Sequence, residues 1–203
     1  FLALNTDLPA LRMCKSMPTF AIGPGTTHGL GSGGQPEIGR KAIRESQQQV
    51  RELLEDADMV FVTAGMGGGT GTGAASIVAD MAHKSGALTV GVVTLPFSFE
   101  GPRRRKIAEN GLRQLKAKVD TLITIDNDRL LPSLNGGVRL DKAFELADRV
   151  LRQGVQGISD IITIPGLINV DFADVKAVMG NGGAAFMAMG EGKGRDGAIQ
   201  AAE

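Results

Sequence analysis

Tryptophan and tyrosine are absent, and the only aromatic residues are 8 phenylalanines among 203 positions. A ring-lined surface for stacking nucleic-acid bases is therefore not expected. There is a single cysteine, Cys14, which excludes an intramolecular disulfide and fits a reducing compartment. Neither His28 nor His83 is near it in sequence, so Cys14 reads as a small buried hydrophobe rather than a nucleophile. No sign of charge prevails, because 22 Lys and Arg balance 22 Asp and Glu. That balance argues against a dedicated binder of nucleic acid or of an anionic membrane. No apolar run approaches the roughly 18 residues of a membrane span, and no signal peptide is visible. The expectation is a cytoplasmic protein with no nucleic-acid partner and no direct membrane contact.

What is abundant is glycine, at 29 residues, about twice the usual share. These glycines cluster, which suggests loops that ligands approach closely. Apolar residues make up 42% and charged residues 22%, values that exclude disorder as the general state. At about 150 residues per domain the length suggests one to two domains, and a chain of this size can bury roughly 70% of its unfolded surface. Residues 1–5 lack an initiator Met and read as a buried strand, and residues 199–203 read as a helix just starting. A fragment of a longer protein is the expectation.

Continuous apolar runs at Phe1–Asn5, Met59–Ala64, Leu88–Thr94 and Thr121–Asp126 read as buried parallel strands. Helical stretches at Glu37–Leu54, Gly71–Ser85 and Pro102–Lys116 lie between them. The alternation implies an α/β fold, Rossmann-like, with ligands at the carboxyl ends of the strands. A long helix comes next over Leu140–Ile162, with apolar and small residues three and four apart. A short helix over Asp171–Met179 and a strand over Ala184–Gly190 read as the start of a second α+β domain. The expected division is a nucleotide-binding domain over 1–139, a core helix over 140–164 and a second domain opening at 165–203.

The strongest chemical signal is Gly65-Met-Gly-Gly-Gly-Thr-Gly-Thr-Gly73, six glycines in nine residues between a strand and a helix. Backbone amides, the helix dipole and the Thr70 and Thr72 hydroxyls together suit a phosphate. No Lys-Ser or Lys-Thr pair comes after it, so it is not a Walker-type loop. The next strand ends at Thr94 rather than at an acid, which weighs against a dinucleotide-binding oxidoreductase.

Gly67-Gly-Gly-Thr-Gly-Thr-Gly73 resembles the signature of the tubulin-like GTPases, and the other segments resemble its FtsZ branch of bacterial cell-division GTPases over essentially the whole chain. The resemblance implies that Gly67, Gly68, Gly69, Thr70, Gly71, Thr72 and Gly73 cradle phosphates. It places Asn5 and Asp7 near the phosphates and Mg²⁺, although read alone they serve equally as a turn or a cap. It brings Gly31, Gly33 and Gly34 to the γ-phosphate; relatives usually read G-A-G-A-N-P where this chain has Gly31-Ser-Gly-Gly-Gln-Pro36, departures that bear on the loop's rigidity. By the same resemblance Glu100 accepts from the ribose and Arg104 touches the nucleotide. The run Arg103–Lys106 also reads as a solvated helix face, though cations in a first turn oppose the dipole unless an anion is nearby. Asn127 is implied to contact the nucleoside, or it simply caps a short helix. Phe144 is implied to stack on the purine, or it packs in the core, and Asp148 to accept from guanine N1–H and N2–H₂. Asn169, Asp171 and Asp174 match the family's catalytic acid loop, while Asp171 and Asp174 alone read as helix-starting acids.

From Asp148 to the end of the long helix is about 21 Å, so Asp171 and Asp174 are expected over a neighbour's nucleotide, not their own. The implied protein binds GTP and GDP with Mg²⁺, stacks head-to-tail on itself and hydrolyses GTP slowly at the subunit contact. It would form the division ring at mid-cell and meet cell-division proteins and membrane anchors through a tail. A further phosphate loop is expected ahead of Phe1, and the 203 residues alone are expected to be inactive. A non-hydrolysing structural relative would lack the acid pair.

Overall fold

A computed structural model of the chain describes residues 1–133, 139–164, 171–185, 192–194 and 196–202. The first unit is β1 (Ala3–Asn5), α1 (Leu8–Met13) and β2 (Thr19–Ala21), the two strands pairing in parallel. Next come the short α2 (Pro24–Thr27), α3 (Pro36–Glu45) and α4 (Gln47–Leu53). One helix is expected over 37–54, but it is interrupted at Ser46, whose backbone leaves helical geometry at φ −98° and ψ 16°. The Ser46 hydroxyl instead accepts from the Gly23 amide at 2.9 Å. A side chain that bonds to distant backbone competes with helix continuation at its own position.

The main unit runs β3 (Met59–Gly65), α5 (Thr70–Lys84), β4 (Leu88–Leu95), α6 (Pro102–Lys116) and β5 (Thr121–Asp126). These match the expected strands and helices to within a residue or so. α7 (Leu140–Thr163) is the long helix, and α8 (Phe172–Met179), β6 (Gly183–Ala185) and α9 (Gly197–Ala202) complete the described elements. All pairings in the order β3-β4-β5-β6 are parallel, as parallel strands joined by crossover helices require. β6 begins one residue before the expected strand and pairs with β5; residues 186–190 of that expectation lie outside the described residues. Among the described residues β1 pairs only with β2. It joins the larger sheet through side chains, since Leu4, Phe20 and Ile22 share a core with Val62, Ala75 and Ala79.

β4 is central, which explains its continuous Leu-Thr-Val-Gly-Val-Val run: both faces are covered. Val93 and Leu95 pack toward α5 and α6, while Val90 and Val92 pack toward Val155 of α7 and Val175 of α8. The result is a three-layer α/β/α arrangement. α7 spans about 36 Å at 1.5 Å per residue. Its first turns hold Ala143 and Ala147 against Phe97, just past the carboxyl end of β4. Its far end meets α8, and α8 ends where the Met179 carbonyl accepts from Thr121 Oγ1 at 2.6 Å, at the amino end of β5. The helix thus connects opposite ends of the sheet. None of the described helices is long and apolar enough to cross a membrane.

Candidate functional site

The carboxyl ends of β1, β3, β4 and β5 each open into a loop carrying an expected site residue. After β1, the Asn5 side-chain oxygen accepts from the Thr6 amide at 2.8 Å and the Asp7 amide at 3.3 Å. Asp7 caps α1 through the Ala10 amide at 2.9 Å. Both therefore perform the turn and cap roles that the residues alone suggest. The turn aims Thr6, 1% exposed, at the glycine loop, where its hydroxyl lies 2.6 Å from that of Thr70. The Ser32 hydroxyl lies 3.0 Å from the same Thr70 oxygen. The Ser32 departure thus ties the second glycine loop to the first rather than loosening it. In that loop Gly31, Gly33 and Gly34 all take positive φ.

Within Gly65–Gly73 the glycines divide into two kinds. Gly67 sits at φ +102°, which an L side chain rarely adopts, and its amide donates to Thr72 Oγ1 at 2.9 Å. Gly73 is a packing residue: a Cβ there would meet the Pro36 carbonyl and the Arg40 amide of α3. Gly68 differs, because a Cβ there meets nothing within 4 Å. α5 begins with no side-chain cap at Gly69, so its first amides point outward in want of acceptors. The loop thus serves helix packing and leaves one open, donor-rich side.

Beyond β4, Glu100 is mostly buried and uses both carboxylate oxygens. Oε1 accepts from the Phe97 amide at 3.0 Å and Oε2 from Arg104 Nη1 at 2.7 Å. A carboxylate has lone pairs left for a ribose hydroxyl. Arg105 forks onto Asp126 at 3.1 and 3.0 Å. Those two bonds hold the Asp126 carboxyl below its usual range and raise the guanidinium. Two of the four cations in the first turn of α6, Arg104 and Arg105, are therefore met by acids of the chain itself.

Asn127 comes directly after β5 and is 4% exposed, and its Oδ1 has no hydrogen-bond partner among the described residues. A buried acceptor without a donor costs about 1–3 kcal/mol, and a ligand hydroxyl or N–H fits it. Phe144 is half-exposed on α7 and meets Phe97 and Phe99 edge-on, with centroids 5.4 and 6.3 Å apart. One face of an aromatic cluster is thereby presented to solvent. Asp148, one turn on, borders a cavity of about 560 Å³ with Thr63, Leu151, Arg152 and Val155.

The acid pair is elsewhere. Asp171 Oδ1 accepts from the Asp174 amide at 2.9 Å, and Asp174 Oδ2 from the Asp171 amide at 3.4 Å. This reciprocal box starts α8 and occupies one oxygen of each acid. Asp174 edges an apolar groove with Ile158, Ile161, Val175 and Val178, toward the far end of α7. Asn169 lies outside the described residues. Among the described residues no three His, Cys, Asp or Glu side chains gather to hold a metal. The sequence reading missed Thr6, Arg105 and Asp126. The signal available was position, since each sits at a strand end or a helix's first turn beside a residue already singled out.

The family model described as the Tubulin/FtsZ family, GTPase domain, matches residues 1–135. A mutant FtsZ from M. jannaschii superposes with a TM-score of 0.94 at 48% identity, over 98% of this chain and 60% of that one. An empty FtsZ dimer from M. jannaschii matches equally, over 58% of its chain. CetZ2 from Haloferax volcanii, a GTPγS-bound protofilament, shares the fold at a TM-score of 0.75 and 24% identity, over 90% of this chain and 54% of that one. The chain thus spans about 60% of the length of the FtsZ chains it matches.

Proposed function

This chain belongs to the Tubulin/FtsZ family and carries its GTPase domain, and from that premise we propose that it is a polymerising GTPase whose active site is completed by a second copy. GTP or GDP lies across the carboxyl ends of β1, β3, β4 and β5. The uncapped start of α5, the open side of Gly68, and the Thr70 and Ser32 hydroxyls meet the phosphates, while Thr72, 2% exposed with Oγ1 accepting from the Gly67 amide, supports the loop from inside. Gly31, Gly33 and Gly34 approach the γ-phosphate, and Asn5 and Asp7 border the phosphates and Mg²⁺. Glu100 and Arg104 take the ribose side, and Asn127 Oδ1 accepts from the nucleoside. Phe144 stacks on the purine. Asp148 accepts from N1–H and N2–H₂, a pair of donors that only guanine presents.

The observation that carries this reading is the distance between binding groups and acids. Phe144 packs at the carboxyl end of β4, while α8 docks at the amino end of β5, with α7 spanning the sheet between them. Asp171 and Asp174 therefore serve a neighbour stacked on that end. There they orient and polarise the water that attacks the γ-phosphorus, with Asn169 assisting, as the bond to the bridging oxygen breaks and GDP leaves. Slow turnover is part of this reading. Such a head-to-tail contact is heterologous, and when it does not close it grows into a filament. The dimer of FtsZ, at 48% identity, supports self-association. We extend the reading to the division ring at mid-cell in the cytoplasm, with cell-division proteins and membrane anchors bound through a tail.

Competition binding on the full-length protein tests it. GTP and GDP displace a fluorescent guanine nucleotide and ATP does not, and Asp148→Ala weakens guanine binding by about 1–3 kcal/mol, the range for hydrogen bonds to a charged group. Equal displacement by ATP overturns the reading.

A further inference from the structure

We propose that Arg105 is a positioning residue for nucleoside recognition, clamping the two acids that flank Asn127 so that its unpaired oxygen stays aimed at the ligand. The inference rests on the nucleoside role proposed above for Asn127. Arg105 reaches from the first turn of α6 to the end of β5, where its two terminal nitrogens grip both oxygens of Asp126. The same guanidinium stands 4.0 Å from Asp128 Oδ2. The other oxygen of Asp128 accepts from the Ser98 amide at 2.8 Å. One side chain thereby joins three segments: α6, the end of β5 with the turn after it, and the Phe97–Glu100 turn that carries the ribose-side acid. Asn127 lies between the two clamped acids and is buried, with no partner for Oδ1 among the described residues. No hydrogen bond within the described chain fixes that oxygen; the backbone on either side sets where the side chain starts and heads, and the clamp holds that backbone.

The planar fork matters. Two parallel N–H···O bonds define an orientation that a lysine ammonium does not. Arg105 and Asp126 are also each about two-thirds buried, which spares the pair much of the screening that makes exposed ion pairs weak. An ordinary surface pair would affect stability alone; a positioning clamp affects nucleotide affinity through Asn127.

The test uses the full-length protein and four variants: Arg105→Ala, Arg105→Lys, Asn127→Ala and the double Arg105→Ala/Asn127→Ala. GDP affinity, KM for GTP and kcat are measured for each. Arg105→Ala is expected to raise Kd and KM about tenfold, the equivalent of one hydrogen bond, with kcat at saturating GTP unchanged. Arg105→Lys does not restore affinity. In the Asn127→Ala background, removing Arg105 adds less than a twofold change, because the two residues act as one unit. If the two losses multiply, or if Asn127→Ala weakens binding and Arg105→Ala does not, the clamp is overturned while the nucleoside role stands. If Asn127→Ala itself leaves GDP affinity unchanged, the nucleoside role falls and the clamp with it. Should Arg105→Ala not fold, Asp126→Asn opens the fork and leaves the cation beside Asp128 and beside Glu109, whose Oε1 lies 3.5 Å from Arg105 Nε, and the same coupling to Asn127 decides the question.

Discussion

The hydroxyl oxygens of Thr6 and Thr70 lie 2.6 Å apart although they come from different strands' loops, and Ser32 Oγ extends the chain at 3.0 Å from Thr70. Three hydroxyls in a row carry three protons but need only two for the bonds among themselves. The third is left free to donate outside the row. Ser32 Oγ thereby links the second glycine loop to the first. Ser32→Ala removes one mostly buried hydrogen bond and is expected to cost about 0.5–1.5 kcal/mol of stability. Chemical denaturation of the two proteins measures it. Equal stability would mean that Ser32 does not tie the loops.

The glycines of Gly65–Gly73 make a second, sharper prediction. Gly73→Ala places a methyl against the Pro36 carbonyl and the Arg40 amide, backbone that moves only with α3. Overpacking of this kind costs about 1–3 kcal/mol. Gly68→Ala meets nothing within 4 Å and changes stability by less than about 0.5 kcal/mol. Its methyl instead occupies the side proposed above to face the phosphates, so GTP affinity is expected to fall while the melting temperature holds. Unaltered GTP binding by Gly68→Ala would remove the phosphate from that side of the loop.

These contrasts show what was legible in the sequence. Strands β4 and β5 stood out because strands covered on both faces read as unbroken apolar runs. The start of α6 stood out because Gly101 and Pro102 mark it. β2 did not, since its three residues carry only Phe20 as a large apolar side chain. The break at Ser46 depends on the Gly23 amide, a tertiary partner that no local pattern reveals. Gly65–Gly73 was legible as a loop of unusual density, but which glycines pack and which stay open depends on α3. The partners of Arg104 and Arg105 were hidden for the same reason. Phe144 and Asp148 share a helix face by spacing alone. Their roles, and those of Asp171 and Asp174, came from the family resemblance, because residue chemistry alone favoured core packing for Phe144 and helix capping for the acids.

Asp126 gives a pH prediction with a definite sign. The two hydrogen bonds from Arg105 hold its folded-state pKa below the ordinary value of about 3.9. A carboxylate depressed in the folded state contributes stability that is complete above its unfolded pKa and is lost as pH falls through the folded one. The melting temperature of the wild type should therefore exceed that of Asp126→Asn by a constant margin above about pH 5.5. The margin should narrow steadily as the pH is taken down through about 4. A margin as wide at pH 3 as at pH 7 would show that the carboxylate contributes nothing through its charge.

Asp171 serves both as helix cap and as proposed catalyst, and the two roles can be separated. Asp171→Ala would remove the cap on α8 as well as the carboxylate, at a cost of roughly 1 kcal/mol for the cap alone. Asn caps a helix about as well as Asp, so Asp171→Asn keeps the bond to the Asp174 amide and removes only the charge. In the full-length protein this variant is expected to keep its melting temperature and its affinity for GTP as a monomer. Hydrolysis should be lost if, as proposed, the acid acts on a neighbour's nucleotide. Filaments of the variant, if GTP loss is what destabilises them, should persist longer than wild-type filaments at the same GTP concentration. Mixing supplies a further check. A subunit with a disabled Gly67–Gly73 loop binds no GTP but still offers Asp171 and Asp174, so it should restore some hydrolysis to Asp171→Asn provided it still stacks. The single variant remains decisive, because it needs no such proviso. A large loss of monomer GTP affinity in Asp171→Asn would put this carboxylate in its own chain's pocket. The head-to-tail mechanism would then be abandoned, since α7 would no longer separate the acid from the nucleotide it acts on.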